Sequence, residues 1–247
     1  MKMNLPNLTS RAVLALLVPL SFATAWAQPR MPISRTSTVM VKPDKIADFV
    51  AAVKDYNAVY SKVQGATARI QYQALTGATR YRLVQNYPDW AAMDVPPVTV
   101  SNADLARINA RIQACFESIT SLVTELLPDL STAAVTEPPT LLRIARTRIR
   151  PDKVDEWMAI VKNELLPAYK KAGLTLTVRQ VRFGAPTNEF YLSTRIANWA
   201  DAGKNPLRDS MGADAYNKMV AKLTALTTLR ELDIFRYRAD MSWAPAR

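Results

Sequence analysis

The sequence predicts an α+β fold, two tandem ferredoxin-like β-α-β-β-α-β units packed sheet to sheet as a pseudo-dimeric α/β barrel. Three observations predict it. The stretch Pro43-Asp44-Lys45-Ile46 returns as Pro151-Asp152-Lys153-Val154, 108 residues on, too long for a solenoid unit and right for a small domain. Each copy follows a β-like run and opens a helical pattern with an aromatic residue in its first turn, Phe49 and then Trp157. Asp89-Trp90 is answered by Asn198-Trp199 behind a second strand pair in each half.

In the first half, residues 34–42 are rich in β-branched side chains and read as a strand that Pro43 stops. Asp44 is a candidate N-cap, since its carboxylate can accept the free N–H groups of a first turn. Ile46, Phe49, Val50, Val53 and Tyr60 then fall at helical spacing, and Gly65 can end the helix. Residues 67–74 and 80–87 alternate as a hairpin around Thr76-Gly77-Ala78-Thr79. Pro96-Pro97 marks a loop. Leu105, Ile108, Ile112, Phe116, Ile119, Val123 and Leu126 line one stripe of a long helix over 102–126, ended by Pro128, with a fourth strand near 130–135.

The second half repeats this order. A strand over 141–150 leads to a helix whose apolar face is Val154, Trp157, Met158, Val161 and Leu165, with Asp152 as candidate N-cap and Gly173 at its end. Residues 174–183 and 190–196 read as strands, 211–232 as a second long helix, and 233–238 as a last strand. The units divide as 28–135 and 141–240, with a short proline-bearing linker at 136–140 and a tail at 241–247.

Residues 1–27 read as a secretory signal peptide. Lys2 and Arg11 flank no acid, residues 12–24 are apolar, and Ala25-Trp26-Ala27 is a small-x-small cleavage site. The chain is therefore expected to be exported, periplasmic or secreted, after cleavage near Ala27. An uncleaved anchor is the alternative, although the apolar run is short for a bilayer. No transmembrane span is expected beyond it.

Hydrophobic residues make up 49% of the chain, enough to build a core. Cys115 is the only cysteine, which excludes an intramolecular disulfide, and it reads as a buried inert thiol on the long helix. There is no histidine. That removes the commonest general base, zinc ligand and proximal haem ligand, and with them a Ser-His-Asp triad. No phosphate-cradling loop, dinucleotide fingerprint, nucleophile elbow or metal-ligand spacing occurs. No cofactor is implied. The formal charge is +11, or +9 without Lys2 and Arg11, but the basic residues are dispersed. A solvated basic surface or anionic ligands fit this better than nucleic acid.

The order of strand, Pro-Asp-Lys turn, helix, hairpin, Asp89-Trp90 or Asn198-Trp199 and helix resembles the dimeric α/β-barrel superfamily, which includes antibiotic-biosynthesis-monooxygenase-like, NIPSNAP-like and stress-responsive barrel domains. The resemblance spans residues 34–238. It implies two sheets covering each other's bare faces, as a homodimer would do with two chains, in a molecule that is itself a monomer or weak homodimer. Members include cofactor-independent oxygenases and haem-dependent enzymes. The histidine of the haem members has no counterpart here.

In such a fold the sheet faces turned from the helices line a cavity. Strand alternation places Arg146 and Arg148 there because Ile149 should face the helix. Tyr191, Ser193 and Arg195 share that face, as do Arg82, Val84 and Asn86, with Thr38 and Met40 matching the first pair. Arg82, Arg146, Arg148, Tyr191 and Arg195 would then converge and need an anionic partner, which a carboxylate or phosphate ligand supplies. A one-residue slip would instead put the arginines in solvent or on Asp and Glu. Trp90 and Trp199 either line the cavity or anchor the core. Glu164 and Glu189 lack a neighbouring carboxylate in sequence and receive no acid/base role.

Three functions fit these observations. One is an exported, non-catalytic module that holds a small anionic or aromatic molecule between the sheets. Another is a cofactor-independent monooxygenase-like enzyme acting on a phenolic or enolic substrate. The last is a basic protein that docks on anionic cell-envelope material.

Overall fold

The computed structural model describes residues 32–63, 66–94, 103–132 and 138–245. The signal-peptide reading, Gly65 and Pro96-Pro97 lie outside them. Eight antiparallel strands close into one barrel in the order β1-β3-β2-β8-β5-β7-β6-β4. The first half supplies β1 (Ile33–Val41), α1 (Ile46–Tyr60), the hairpin β2 (Ile70–Ala74) and β3 (Arg80–Tyr87), α2 (Ala103–Ala114) and β4 (Phe116–Leu126). The second supplies β5 (Leu141–Ile149), α3 (Val154–Ile160), α4 (Leu166–Lys171), β6 (Thr177–Phe183) and β7 (Glu189–Ile196). The short helices α5 (Trp199–Ala202) and α6 (Pro206–Met211), then α7 (Ala213–Ala225) and β8 (Thr227–Tyr237), complete it. The two four-stranded sheets join at both edges, β2 to β8 and β4 to β6, so the barrel leaves no sheet edge unpaired along its waist.

Both long helices of the sequence reading are half strand. The helix over 102–126 stops at Ala114, Cys115 makes the turn, and Phe116–Leu126 runs as β4. The helix over 211–232 likewise stops at Ala225, and the last strand begins at Thr227 rather than 233. The reason is tertiary. β4 pairs along the whole of β1, and β8 along the whole of β5, so ladder bonds outweigh an apolar spacing that happens to suit a helix. The fourth strand expected near 130–135 is displaced accordingly. Pro128–Leu130 is a 3-10 turn, and residues 133–135 lie outside the described residues. Cys115 is buried at that turn, its thiol donating to the Arg111 carbonyl at 3.2 Å.

The Pro-Asp-Lys stretches are 3-10 turns leading straight into α1 and α3. Neither helix start has a side-chain cap, so Asp44 and Asp152 are not N-caps. Capping occurs instead at the answering motif. Asp89 Oδ1 accepts from Ala92 N at 2.8 Å, and Asn198 Oδ1 from Asp201 N at 2.9 Å. Between α3 and α4 the helix widens into a π turn over Val161–Leu165, two residues before Pro167, which has no N–H for that ladder. Gly173 ends α4 at φ +67°, a conformation that favours glycine.

Each half also sends a short arm into the other's helix layer. Leu130, after β4, is buried with Trp157, Val161 and Phe190 of the second half. Met241, after β8, is buried with Phe49, Val53 and Tyr81 of the first, so the tail begins as core. The two arms make matched hydrogen bonds. Val178 N donates to Ser131 Oγ at 2.9 Å and Gln71 N to Ser242 Oγ at 2.8 Å. Leu127 N donates to the Val178 carbonyl, and Arg238 N to that of Gln71, each at 2.9 Å. Among the described residues no helix is long and apolar enough to cross a membrane.

Candidate functional site

The barrel interior holds the predicted arginines together with a cluster of packed side chains. Ile149 packs with Trp157 and Phe190 on the helix side of β5, which turns Arg146 and Arg148 inward. Both bind Glu189, a fully buried residue at the first position of β7. Arg146 Nε and Nη2 donate to its two oxygens at 2.7 and 3.0 Å, and Arg148 Nη2 donates at 3.0 Å. The Tyr191 hydroxyl adds a bond at 3.1 Å, and Arg146 also reaches Glu231 at 3.2 Å. Burial pushes the Glu189 carboxyl up, but the donated hydrogen bonds of Arg146 and Arg148 outweigh it and hold it below the usual carboxylate range. The carboxylate that these two arginines need is therefore internal, and no ligand is required to supply it.

Arg82 lies over the rings of Tyr191 and Phe235, at 5.2 and 4.9 Å from their centroids, and its Nε donates to Thr38 Oγ1 at 3.3 Å. Arg195 stands at the register of Leu142, toward the other barrel end, and near Tyr72, whose hydroxyl burial and Tyr237 push up to about 12. Between these groups Tyr72, Ile144, Val181, Tyr191 and Phe235 pack together, with Ile70, Val84, Leu122 and Leu142 against them. Side chains of both sheets thus pack against one another in the space expected to be an inter-sheet cavity. Trp90 and Trp199 are neither cavity lining nor core, being 40% and 50% exposed. Trp90 meets the exposed Phe183 edge to face, with ring centroids 5.7 Å apart.

Two grooves lie outside the barrel. One groove of about 590 Å³ runs along the surface between α3 and α7, crossed by a Lys222–Glu164 ion pair at 2.8 Å. A second cleft, of about 420 Å³, is set deeper, between the outer face of the second sheet and its helices. Its floor is Arg143, Ala145 and Thr147 of β5 with Leu192 and Thr194 of β7. Trp157, Leu165 and Tyr169 form one wall, Tyr216, Met219, Val220 and Leu223 of α7 the other. Residues 202–207 and Arg230 rim it. The volume falls in the range of small-molecule sites.

The cleft exists because the floor is small where a core face would be large. Ala145 and Thr147 leave room under Met219 and Leu223 that bulkier strand residues would fill. At its polar end the Tyr169 hydroxyl lies 3.1 Å from Thr194 Oγ1. Burial chiefly raises the Tyr169 pKa, and the nearby charges of Arg143 and Arg230 pull the other way. Arg143 Nη2 donates to the Ala202 carbonyl at 2.7 Å, and Lys204 pairs with Asp201 at 2.7 Å. The lining thus holds Arg143, Lys204 and Arg230 and no carboxylate, cysteine or histidine.

This donor set does not fit a histidine-ligated haem, and no cluster of metal-ligating side chains occurs among the described residues. Sequence reasoning missed both the cleft and Glu189. β7 begins at Glu189, one residue before the expected 190–196, so Glu189 shares the inward face of Tyr191. The same alternation that turns Ile149 to the helices puts Arg143, Ala145 and Thr147 on its face, which is the signal for the cleft floor.

No family model and no curated protein sequence matches the chain. Solved structures do match it in fold. A protein provisionally assigned as a monooxygenase from Fusobacterium nucleatum aligns with TM-score 0.60 at 16% identity, over 83% of this chain and 92% of that one. One of the same provisional description from Lactobacillus acidophilus aligns with TM-score 0.58 at 9% identity, over 86% and 96%. An anthrone oxidase-like protein aligns with TM-score 0.60 at 8% identity, over 88% and 94%. At these identities the likeness shows the shared barrel fold.

Proposed function

We propose that this chain is an exported binding protein that holds a small acid with an aromatic or apolar body in the outer cleft of its second half. The observation that carries this reading is the lining, an apolar hollow bounded by three cations and no carboxylate. An anionic group placed at Arg143 and Arg230 would gain charge-assisted hydrogen bonds. Its body would lie against Trp157, Leu192 and Met219. The lining holds no histidine or carboxylate to act as a general base. That supports binding without chemistry.

A test uses 2-naphthoate and neutral naphthalene as probes, with binding measured by calorimetry and fluorescence. The acid is expected to bind more tightly, and Arg143→Gln with Arg230→Gln to weaken it about 10- to 100-fold, as for lost charged hydrogen bonds. Equal affinity for the two probes, or indifference to both substitutions, would contradict the reading.

The fold shared with monooxygenase-like structures favours one second reading, a cofactor-independent oxygenase. Its test is oxygen uptake by the purified chain with anthrone. Turnover abolished by filling the cleft with Ala145→Phe would establish it in place of simple binding, and no uptake would exclude anthrone oxidation.

A further inference from the structure

The outer cleft is roofed by a segment that holds no fully buried side chain. Helices α5 and α6, with residues 203–205 between them, carry no buried residue. The roof ends at Gly212, whose φ of +86° suits a glycine hinge ahead of α7. The wall behind it is anchored, since Met219 of α7 is buried in the second-half core. Leu207 and Met211 pack against the core, α6 also meets α4 and α7, and the bond from Arg143 Nη2 to the Ala202 carbonyl ties the roof to the sheet. Segments with few buried contacts open at low free-energy cost.

We propose that residues 199–211 are a lid over the cleft and that Arg143 is the positioning residue that latches it, coupling lid closure to the presence of an anionic ligand. This deepens the binding reading above and rests on it. A guanidinium carries five N–H donors in a planar fork, and Arg143 gives one to the lid carbonyl. A carboxylate in the cleft would take others and fix the plane of the fork. The orientation that holds the ligand then also holds Ala202, so the closed lid and the bound acid stabilise each other reciprocally.

Hydrogen exchange read by mass spectrometry on the whole chain tests this. Without ligand, peptides from 199–211 should exchange faster than those of α7. They should speed up about tenfold more in Arg143→Gln, as for loss of one charged hydrogen bond, with β5 and α7 peptides unchanged. Arg143→Lys, which keeps the charge but not the fork, should fall between. Saturating 2-naphthoate should slow lid exchange in the parent and leave it unslowed in Arg143→Gln. Equal lid exchange in parent and Arg143→Gln overturns the latch. Equal slowing by ligand in both overturns the coupling. If 2-naphthoate does not bind, the binding reading and the coupling both fall, and the ligand-free comparison still decides the latch.

Discussion

At the residue scale, Glu189 shows how inward-facing arginines can find their carboxylate within the fold. Two guanidiniums and a phenol converge on one fully buried carboxylate. Removing one partner of such a set costs about 3–5 kcal/mol, so Glu189→Gln should lower stability by that amount at neutral pH. The sign with pH follows from its depressed pKa. A carboxyl held below its unfolded value contributes stability above the ordinary carboxylate range and loses it as pH falls through the folded value. The gap between parent and Glu189→Gln in urea unfolding should therefore be widest near neutrality and shrink from about pH 5 downward. A gap constant across that range would contradict the charged network. Sequence could place Arg146, Arg148 and Tyr191 on strands by composition. It could not show their partner, because the register of β7 against β5 brings Glu189 opposite Arg148, and register is a tertiary property.

At the element scale, β4 and β8 carry the same lesson in reverse. Phe116, Ile119, Val123 and Leu126 fall at helical spacing, yet the chain runs extended there because β1 offers a full ladder. Local periodicity cannot see a strand supplied from far along the chain. The turns and hairpins, whose causes are local, were legible from Pro43, Pro151 and the residues around Gly77. The arms that follow β4 and β8 were hidden for the same reason as the ladders. Leu130→Ala and Met241→Ala should each cost about 2–5 kcal/mol. Since the two residues sit in separate core clusters, the double variant should cost their sum to within about 0.5 kcal/mol. A Met241→Ala change within about 0.5 kcal/mol of the parent in denaturant unfolding would show that the tail is not part of the core.

At the scale of the whole molecule, the halves are joined by two short edge pairings and two reciprocal arms around a packed barrel interior. Either half expressed alone would expose Tyr72 and Val84, or Ile144 and Tyr191, to water. It should therefore self-associate or unfold, and a soluble monomeric half by size-exclusion chromatography would contradict this. The proposed function places the ligand against the helix-covered face of the second sheet.

That placement is tested most directly by methyl-resolved NMR of the intact chain titrated with 2-naphthoate. Saturable shifts are predicted at Leu192, Leu207, Met219 and Leu223 around the cleft, with Val84, Ile144 and Val181 inside the barrel unmoved. Shifts confined to the barrel methyls, with the cleft methyls silent, would contradict it.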